Sequence, residues 1–139
     1  MSDINYAILN GVNPSATGTF TGTAYSTEDL RDLSVMLLMP STTGVSGDTL
    51  DISIEESDQR DFADPERIRT IDLVPISGSV VGQFTQVVGG TSSPNVLLQQ
   101  KFDLGFKNVN TFVRVKYTVA GTPTSFTDIT VLLLANRKI

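Results

Sequence analysis

TFVRVKYTVAGTPTSFTDITVLLLA (Thr111–Ala135) contains two segments whose apolar residues recur at the spacing of a β-strand. In the first segment, valine and tyrosine alternate with polar residues from Val113 to Val119, a period of two that is typical of a half-buried strand. The second segment ends in a continuous apolar run, which is typical of a strand covered on both faces. Because the sequence GTPT between them contains turn-forming residues, the stretch predicts a β-hairpin.

The rest of the chain favours an all-β domain. Its 139 residues are 40% hydrophobic and 18% charged, which is typical of a globular chain. Frequent Thr, Val and Ser fit a pleated sheet better than a helix. Further strands are predicted at Leu33–Met39, Leu50–Glu55, Ile68–Val74, Ser79–Val88 and Val96–Leu104. We expect a jelly-roll-like antiparallel β-sandwich of about eight strands.

The same sequence patterns predict how the chain is divided and which strands pair. Residues 1–25 contain turn residues and short alternating segments, and they predict an N-terminal arm or edge strands. Residues 26–139 then form the β-sandwich domain. Within it, Leu50–Glu55 alternates regularly and is expected to pair with Leu33–Met39 as an antiparallel neighbour.

Composition argues against most catalytic and ligand-binding classes. The net charge is −5, with no basic stripe, so nucleic acid is not an expected partner. The chain has no Cys and no His, which removes the thiolate nucleophile, the commonest general base and the commonest transition-metal ligand. We therefore predict no catalytic residues, no enzyme activity, no cofactor and no metal. The apolar runs are far shorter than the roughly 20 residues of a membrane span, and MSDINYAIL does not resemble a signal peptide, so we expect a soluble protein made in a cytoplasm.

Two clusters of charged residues are candidate ligand sites. The acidic loop could supply oxygen ligands to calcium, but its spacing is not that of an EF-hand, and interleaved arginines favour a solvated, salt-bridged loop. Its acidic residues are Glu55, Glu56, Asp58, Asp61, Asp64 and Glu66. Arg114 and Lys116, with Lys101, form a basic patch, for which ordinary cross-strand pairing is favoured over docking of an acidic partner.

Two strands are apolar on both faces, and this predicts a covering partner. One face of a sheet in a thin sandwich is normally wetted, so extra apolar residues there need either the N-terminal arm or another subunit above them. The residues facing away from the predicted core are Met36, Leu38, Leu132 and Leu134. A contact between subunits made by such strands predicts a homo-oligomer.

Three stretches together resemble a known class of proteins. They are DISIEESDQRDFAD (Asp51–Asp64), FVRVKYTVAGTPTSF (Phe112–Phe126) and VLLLANRK (Val131–Lys138). Their order is similar to that in small head proteins of tailed bacteriophages, of the capsid decoration or cement type. The resemblance covers about Leu33 to Lys138 and leaves the amino-terminal residues unmatched.

The resemblance implies a structural virion protein on the outer capsid surface. Such a protein binds the major capsid protein as a dimer or trimer and stabilises the shell. An extended amino-terminal arm could add a strand to a capsid-protein edge. Its expected anchors are Tyr6, Ile8, Phe20 and Tyr25, for which packing within the chain is an equal alternative. The alternative function is a carbohydrate- or receptor-binding module of a virion or tail, which the absence of Trp disfavours.

Overall fold

The computed structural model describes residues 3–27, 30–38, 41–71, 74–75, 86–90, 98–103 and 112–137. The longer strands are β1 (Asp3–Val12), β2 (Gly18–Thr21), β4 (Leu30–Leu38), β6 (Thr49–Ser57), β10 (Leu98–Asp103), β11 (Phe112–Ala120) and β13 (Ile129–Arg137). Two-residue strands are β3 (Tyr25–Ser26), β5 (Ser41–Thr42), β7 (Arg69–Thr70), β8 (Val74–Pro75), β9 (Val87–Val88) and β12 (Phe126–Thr127). Short 3₁₀ turns lie at Pro65–Arg67 and Pro123–Ser125, and no α-helix occurs in the described ranges.

These strands form two antiparallel sheets that pack face to face. Sheet A has the order β1-β13-β4-β10-β8, and sheet B has the order β2-β11-β6-β7, with β3 beside β11 and β9 beside β6. A small third sheet joins β5 to β12. The chain passes from one sheet to the other at most connections, so the orders β1-β13-β4-β10 and β2-β11-β6-β7 reproduce the jelly-roll arrangement of two Greek keys. The predicted all-β jelly-roll sandwich is confirmed.

The core lies between the sheets, where alternate residues of each strand point inward. Sheet B contributes Leu50, Ile52 and Ile54 from β6 and the alternating residues Val113 to Val119 from β11. Sheet A contributes Ile8, Leu9, Val35, Leu37, Val131 and Leu133. The alternation in the sequence therefore identifies the buried face of β4, β6, β11 and β13 correctly.

The predicted hairpin at Thr111–Ala135 is wrong. β11 lies in sheet B between β2 and β6, whereas β13 lies in sheet A between β1 and β4. The connection contains the turn Pro123–Ser125 and the strand β12, which is too much chain for a tight hairpin turn. The connection therefore carries the chain across the top of the core from sheet B to sheet A.

The predicted pairing of Leu50–Glu55 with Leu33–Met39 is also wrong. β6 pairs with β11 in sheet B, while β4 pairs with β13 and β10 in sheet A. The two strands face each other across the core because Val35 and Leu37 of one and Ile52 and Ile54 of the other belong to the same buried cluster. The alternation of apolar residues shows which face of a strand is buried, but it does not determine which strand pairs with it.

The amino-terminal residues form edge strands of both sheets. β1 pairs with β13 from Asp3 opposite Asn136 to Val12 opposite Ile129, and β2 pairs with β11. The division of the chain into residues 1–25 and 26–139 stays a prediction. Of the strand predicted at Ser79–Val88, residues 79–85 lie outside the described residues, and Val87–Val88 is β9.

Candidate functional site

The outer face of sheet A carries large apolar side chains. Val35, Leu37, Val131 and Leu133 are fully buried, and the residues between them point away from the core. Leu38 is 36% exposed, and Met36, Leu132 and Leu134 are partly exposed. We call these the apolar face of sheet A, which consists of Met36, Leu38, Leu132 and Leu134.

The strand register brings these four residues together. Met36 lies directly opposite Leu132, and Leu38 lies opposite Thr130 on the same strand pair. Directly opposed residues have Cβ atoms about 4.5–5.5 Å apart, and the next residues on the same face are also within reach of long side chains. On the other side of β13, Ala7 of β1 lies opposite Leu132 and extends the surface toward the sheet edge. The face predicted from the sequence is thus one continuous surface.

The residues predicted as anchors of the amino-terminal arm lie along one side of the sandwich, on β1, β2 and β3. Ile8 is 1% exposed and belongs to the core. The ring of Phe20 packs against the ring of Tyr117 with centroids 5.4 Å apart, and the Tyr25 hydroxyl donates a hydrogen bond to the Ala7 carbonyl oxygen at 3.2 Å. Tyr6 lies opposite Leu133 in the register, and its side chain is outside the described part of the chain. The role of these residues in a partner interface stays a prediction.

A groove separates the two edge strands on this side. It has a volume of about 580 Å³ and is open to solvent. Its lining is Ala7, Ile8, Leu9, Asn10, Val12, Thr21, Gly22, Thr23, Tyr25 and Tyr117. We call this the edge groove. All the described residues of its lining are uncharged, and burial raises the pKa of the Tyr117 hydroxyl.

Irregular pairing on both edge strands shapes the groove. β1 has an extra residue between Ala7 and Leu9 and another before Val12, so Ile8 and Leu9 are both buried although they are consecutive. Between Thr21 and Tyr25 the other edge also gains one residue relative to β11. Gly22 donates its N–H to the Val115 carbonyl oxygen at 2.8 Å. A Cβ at Gly22 would lie 2.8 Å from the Ile8 carbonyl oxygen, so only glycine lets the two edges approach this closely.

The basic residues of sheet B are paired across strands. Glu55 lies opposite Arg114, and its carboxylate is 3.0 Å from the Arg114 guanidinium and 3.7 Å from the Lys116 ammonium. The Arg114 guanidinium also covers the Phe62 ring at 4.1 Å from the ring centroid. The favoured interpretation of cross-strand pairing is confirmed for these two cations, while the side chain of Lys101 is outside the described residues.

The carboxylates of the acidic loop are held by separate partners. Glu56 pairs with Arg69, and Asp58 pairs with Arg67 at 3.5 Å. Asp61 and Asp64 instead accept hydrogen bonds from the backbone N–H groups of Ala63 and Glu66. In the part of the chain that the structure describes, no three acidic side chains gather as a group that could hold a metal ion.

Asp48 forms a buried polar cluster that the sequence patterns did not single out. Its carboxylate accepts hydrogen bonds from the Ser125 hydroxyl at 2.6 Å and from the Thr122 N–H at 2.8 Å. These bonds, led by the one from Ser125, lower the pKa of Asp48 below its ordinary value of 3.8. Asp48 and Ser125 are 77 residues apart, so no local spacing identifies the pair.

None of the helices in the described ranges has the length and hydropathy needed to cross a bilayer. No protein-family model matches this chain, and no curated protein sequence matches it. Among solved structures, the chain is similar to the SPBc2 prophage-derived protein YomS. That match has a TM-score of 0.48 and 13% sequence identity, and it covers 96% of this chain and 92% of YomS.

Proposed function

We propose that this chain is a structural, non-catalytic protein of a bacteriophage virion. It assembles as a dimer or trimer, binds the major capsid protein and stabilises the outer capsid shell. The apolar face of sheet A is the observation that carries this proposal, because it presents four large apolar side chains on the side of the sheet away from the core. The resemblance of Asp51–Asp64, Phe112–Phe126 and Val131–Lys138 to phage decoration and cement proteins supports the same function.

The energetics of this face suit association between subunits. Fully burying a Leu or Met side chain is worth about 1.5–3 kcal/mol relative to leaving it exposed. Met36, Leu132 and Leu134 are already partly buried in one chain, so their covering gives only part of that amount. Weak contacts of this kind become strong attachment when an oligomer engages several equivalent sites on a symmetric shell. The net charge of −5 suits a surface that does not bind the packaged genome.

The oligomeric state tests the first part of the proposal. Light scattering at micromolar concentration is expected to give a multiple of the 15.0 kDa chain mass. The double substitution Met36→Glu and Leu132→Glu places two like charges opposite each other and is expected to give the single-chain mass. Val45→Glu is the control, because Val45 is 67% exposed in the connection between β5 and β6. Wild-type protein that remains at the single-chain mass would refute the proposed homo-oligomer.

Co-sedimentation tests the second part. When the protein is added to phage heads that lack it, it is expected to pellet with the heads. The Met36→Glu, Leu132→Glu variant is expected to remain in the supernatant. The Val45→Glu control is expected to pellet like wild type. An oligomer that forms normally but does not pellet with heads would exclude the capsid role. It would still be consistent with the proposed homo-oligomer.

A further inference from the structure

The edge groove has the features of a ligand site, and it lies between the edge strands of the two sheets. We propose that it binds a neutral, hydroxyl-rich ligand, specifically a short uncharged oligosaccharide. The proposal goes beyond the structural function above and does not depend on it, since none of the four residues of the apolar face lines the groove. Its volume of about 580 Å³ is within the range of small-molecule sites.

The absence of charge from the groove lining determines the class of ligand. The chain contains ten basic and fifteen acidic residues, and none of those whose side chains the structure describes lines the groove. A phosphate, a nucleotide or an acidic sugar is normally bound by Arg, Lys or a metal ion. A groove without such groups favours a ligand that has no charge to neutralise.

The polar residues of the rim match the hydrogen-bonding groups of a sugar. Asn10, Thr21 and Thr23 are exposed there. Amide and hydroxyl groups both donate and accept hydrogen bonds, as sugar hydroxyls do. A hydroxyl of the ligand can therefore act as a hydrogen-bond donor or as an acceptor toward these groups.

Tyr25 supplies the flat apolar surface that a sugar ring packs against. Its side chain is partly exposed and lines the groove, and its hydroxyl is held by the Ala7 carbonyl oxygen at 3.2 Å. That hydrogen bond ties one end of the ring to β1 and limits its rotation. The combination of an apolar ring, uncharged polar groups and an apolar floor at Ile8 and Leu9 is typical of a small-ligand site.

Addition of a partner's strand is less favoured at this position. The extra residues in β1 between Ala7 and Val12 interrupt the regular edge that an incoming strand needs. The Ala7 carbonyl oxygen is already bonded to Tyr25, and the Ile8 carbonyl oxygen lies against Gly22. One backbone acceptor at this edge, the Ala7 carbonyl oxygen, is therefore already bonded.

Amide chemical-shift mapping tests the proposal. The probes are neutral hexasaccharides of glucose, mannose, galactose and N-acetylglucosamine at millimolar concentration, with inorganic phosphate and the uncharged peptide Thr-Val-Thr-Val-Thr as comparisons. At least one saccharide is expected to shift the amides of residues 7–12 and 21–25. Thr23→Glu, a change at an exposed rim position, is expected to weaken the binding of that saccharide roughly tenfold or more.

Val45→Glu is the control, because Val45 is 67% exposed and does not line the groove, and it is expected to leave the affinity unchanged. The proposal is overturned if no saccharide in the panel shifts the groove amides, or if Thr23→Glu binds as tightly as wild type. Shifts produced by the peptide or by phosphate and not by the saccharides would also overturn it, and would identify a strand-accepting edge or an anion site instead.

Discussion

Asp48 joins three connections at one end of the sandwich. Its carboxylate binds Ser125 and the Thr122 N–H, and its own carbonyl oxygen accepts the Gly89 N–H at 2.8 Å. Gly121 has a φ of +84°, and a Cβ there would overlap the Asp48 side chain. The packing at this end therefore requires both a carboxylate at position 48 and a glycine at position 121.

Replacing this carboxylate is expected to change the dependence of stability on pH. Because hydrogen bonds lower the pKa of folded Asp48, the stability they contribute is complete above pH 3.8 and is lost as pH falls through the lower folded value. Asp48→Asn is expected to lower the melting temperature at neutral pH, with the difference from wild type shrinking as the solution is acidified below pH 3.8. Thermal melts across this range check it, and a difference that stays constant with pH would contradict it.

Phe62 anchors the acidic loop to sheet B. Its side chain is buried although its backbone has a φ of +51°, a conformation that residues other than glycine rarely adopt. Phe62→Ala is expected to lower the free energy of unfolding by about 3 kcal/mol, because it removes a buried ring and the contact with Arg114. Urea unfolding measures the change. Glu66→Ala, at an exposed position in the same loop, is expected to change it by less than about 0.5 kcal/mol.

At the scale of the element, the two edge strands meet at Gly22. Gly22→Ala places a methyl group against the Ile8 carbonyl oxygen and is expected to lower the free energy of unfolding by about 1–3 kcal/mol. Gly47→Ala is the control, since nothing lies within 4 Å of the Cβ it would add, and it is expected to be near neutral. Equal effects of the two substitutions in urea unfolding would show that the edges are not in close contact.

The same elements show what the sequence could and could not predict. The alternation at Val113, Val115 and Val119 is a local property, and it identified the inner face of β11. The partner of a strand is a long-range property, so the turn residues after Ala120 were compatible with a hairpin as well as with a crossing between sheets. The extra residues of β1 shift its alternation, so the burial of both Ile8 and Leu9 could not be read from a period of two.

The apolar face of sheet A could be predicted from the sequence, whereas the edge groove could not. Met36 and Leu132 are adjacent to fully buried residues on their strands, and this made their outward face visible in the sequence. The edge groove was not visible, because Asn10, Thr23 and Tyr25 come together only when the first strands of the two sheets lie side by side. Uncharged polar residues in turn-rich sequence give no signal of their own.

At the scale of the whole molecule, the amino-terminal strand is part of the sandwich. Ile8 and Leu9 contribute to the common core, and β1 covers one edge of β13. A chain that begins at Ser26 is therefore expected to lose cooperative unfolding, because it exposes core residues of both sheets. Urea unfolding followed by circular dichroism and by tyrosine fluorescence checks this. A truncated chain that unfolds in one sharp transition near the wild-type midpoint would instead support a separable arm.

The pairing of β1 with β13 also has a consequence for biosynthesis. Asp3 lies beside Asn136, so β1 acquires its only described sheet neighbour after β13 has been synthesised. The chain must therefore close the long loop between these two strands before their contacts contribute to stability. Topologies of this kind fold on the scale of milliseconds to seconds, and an unpaired β1 is exposed to aggregation until β13 binds it.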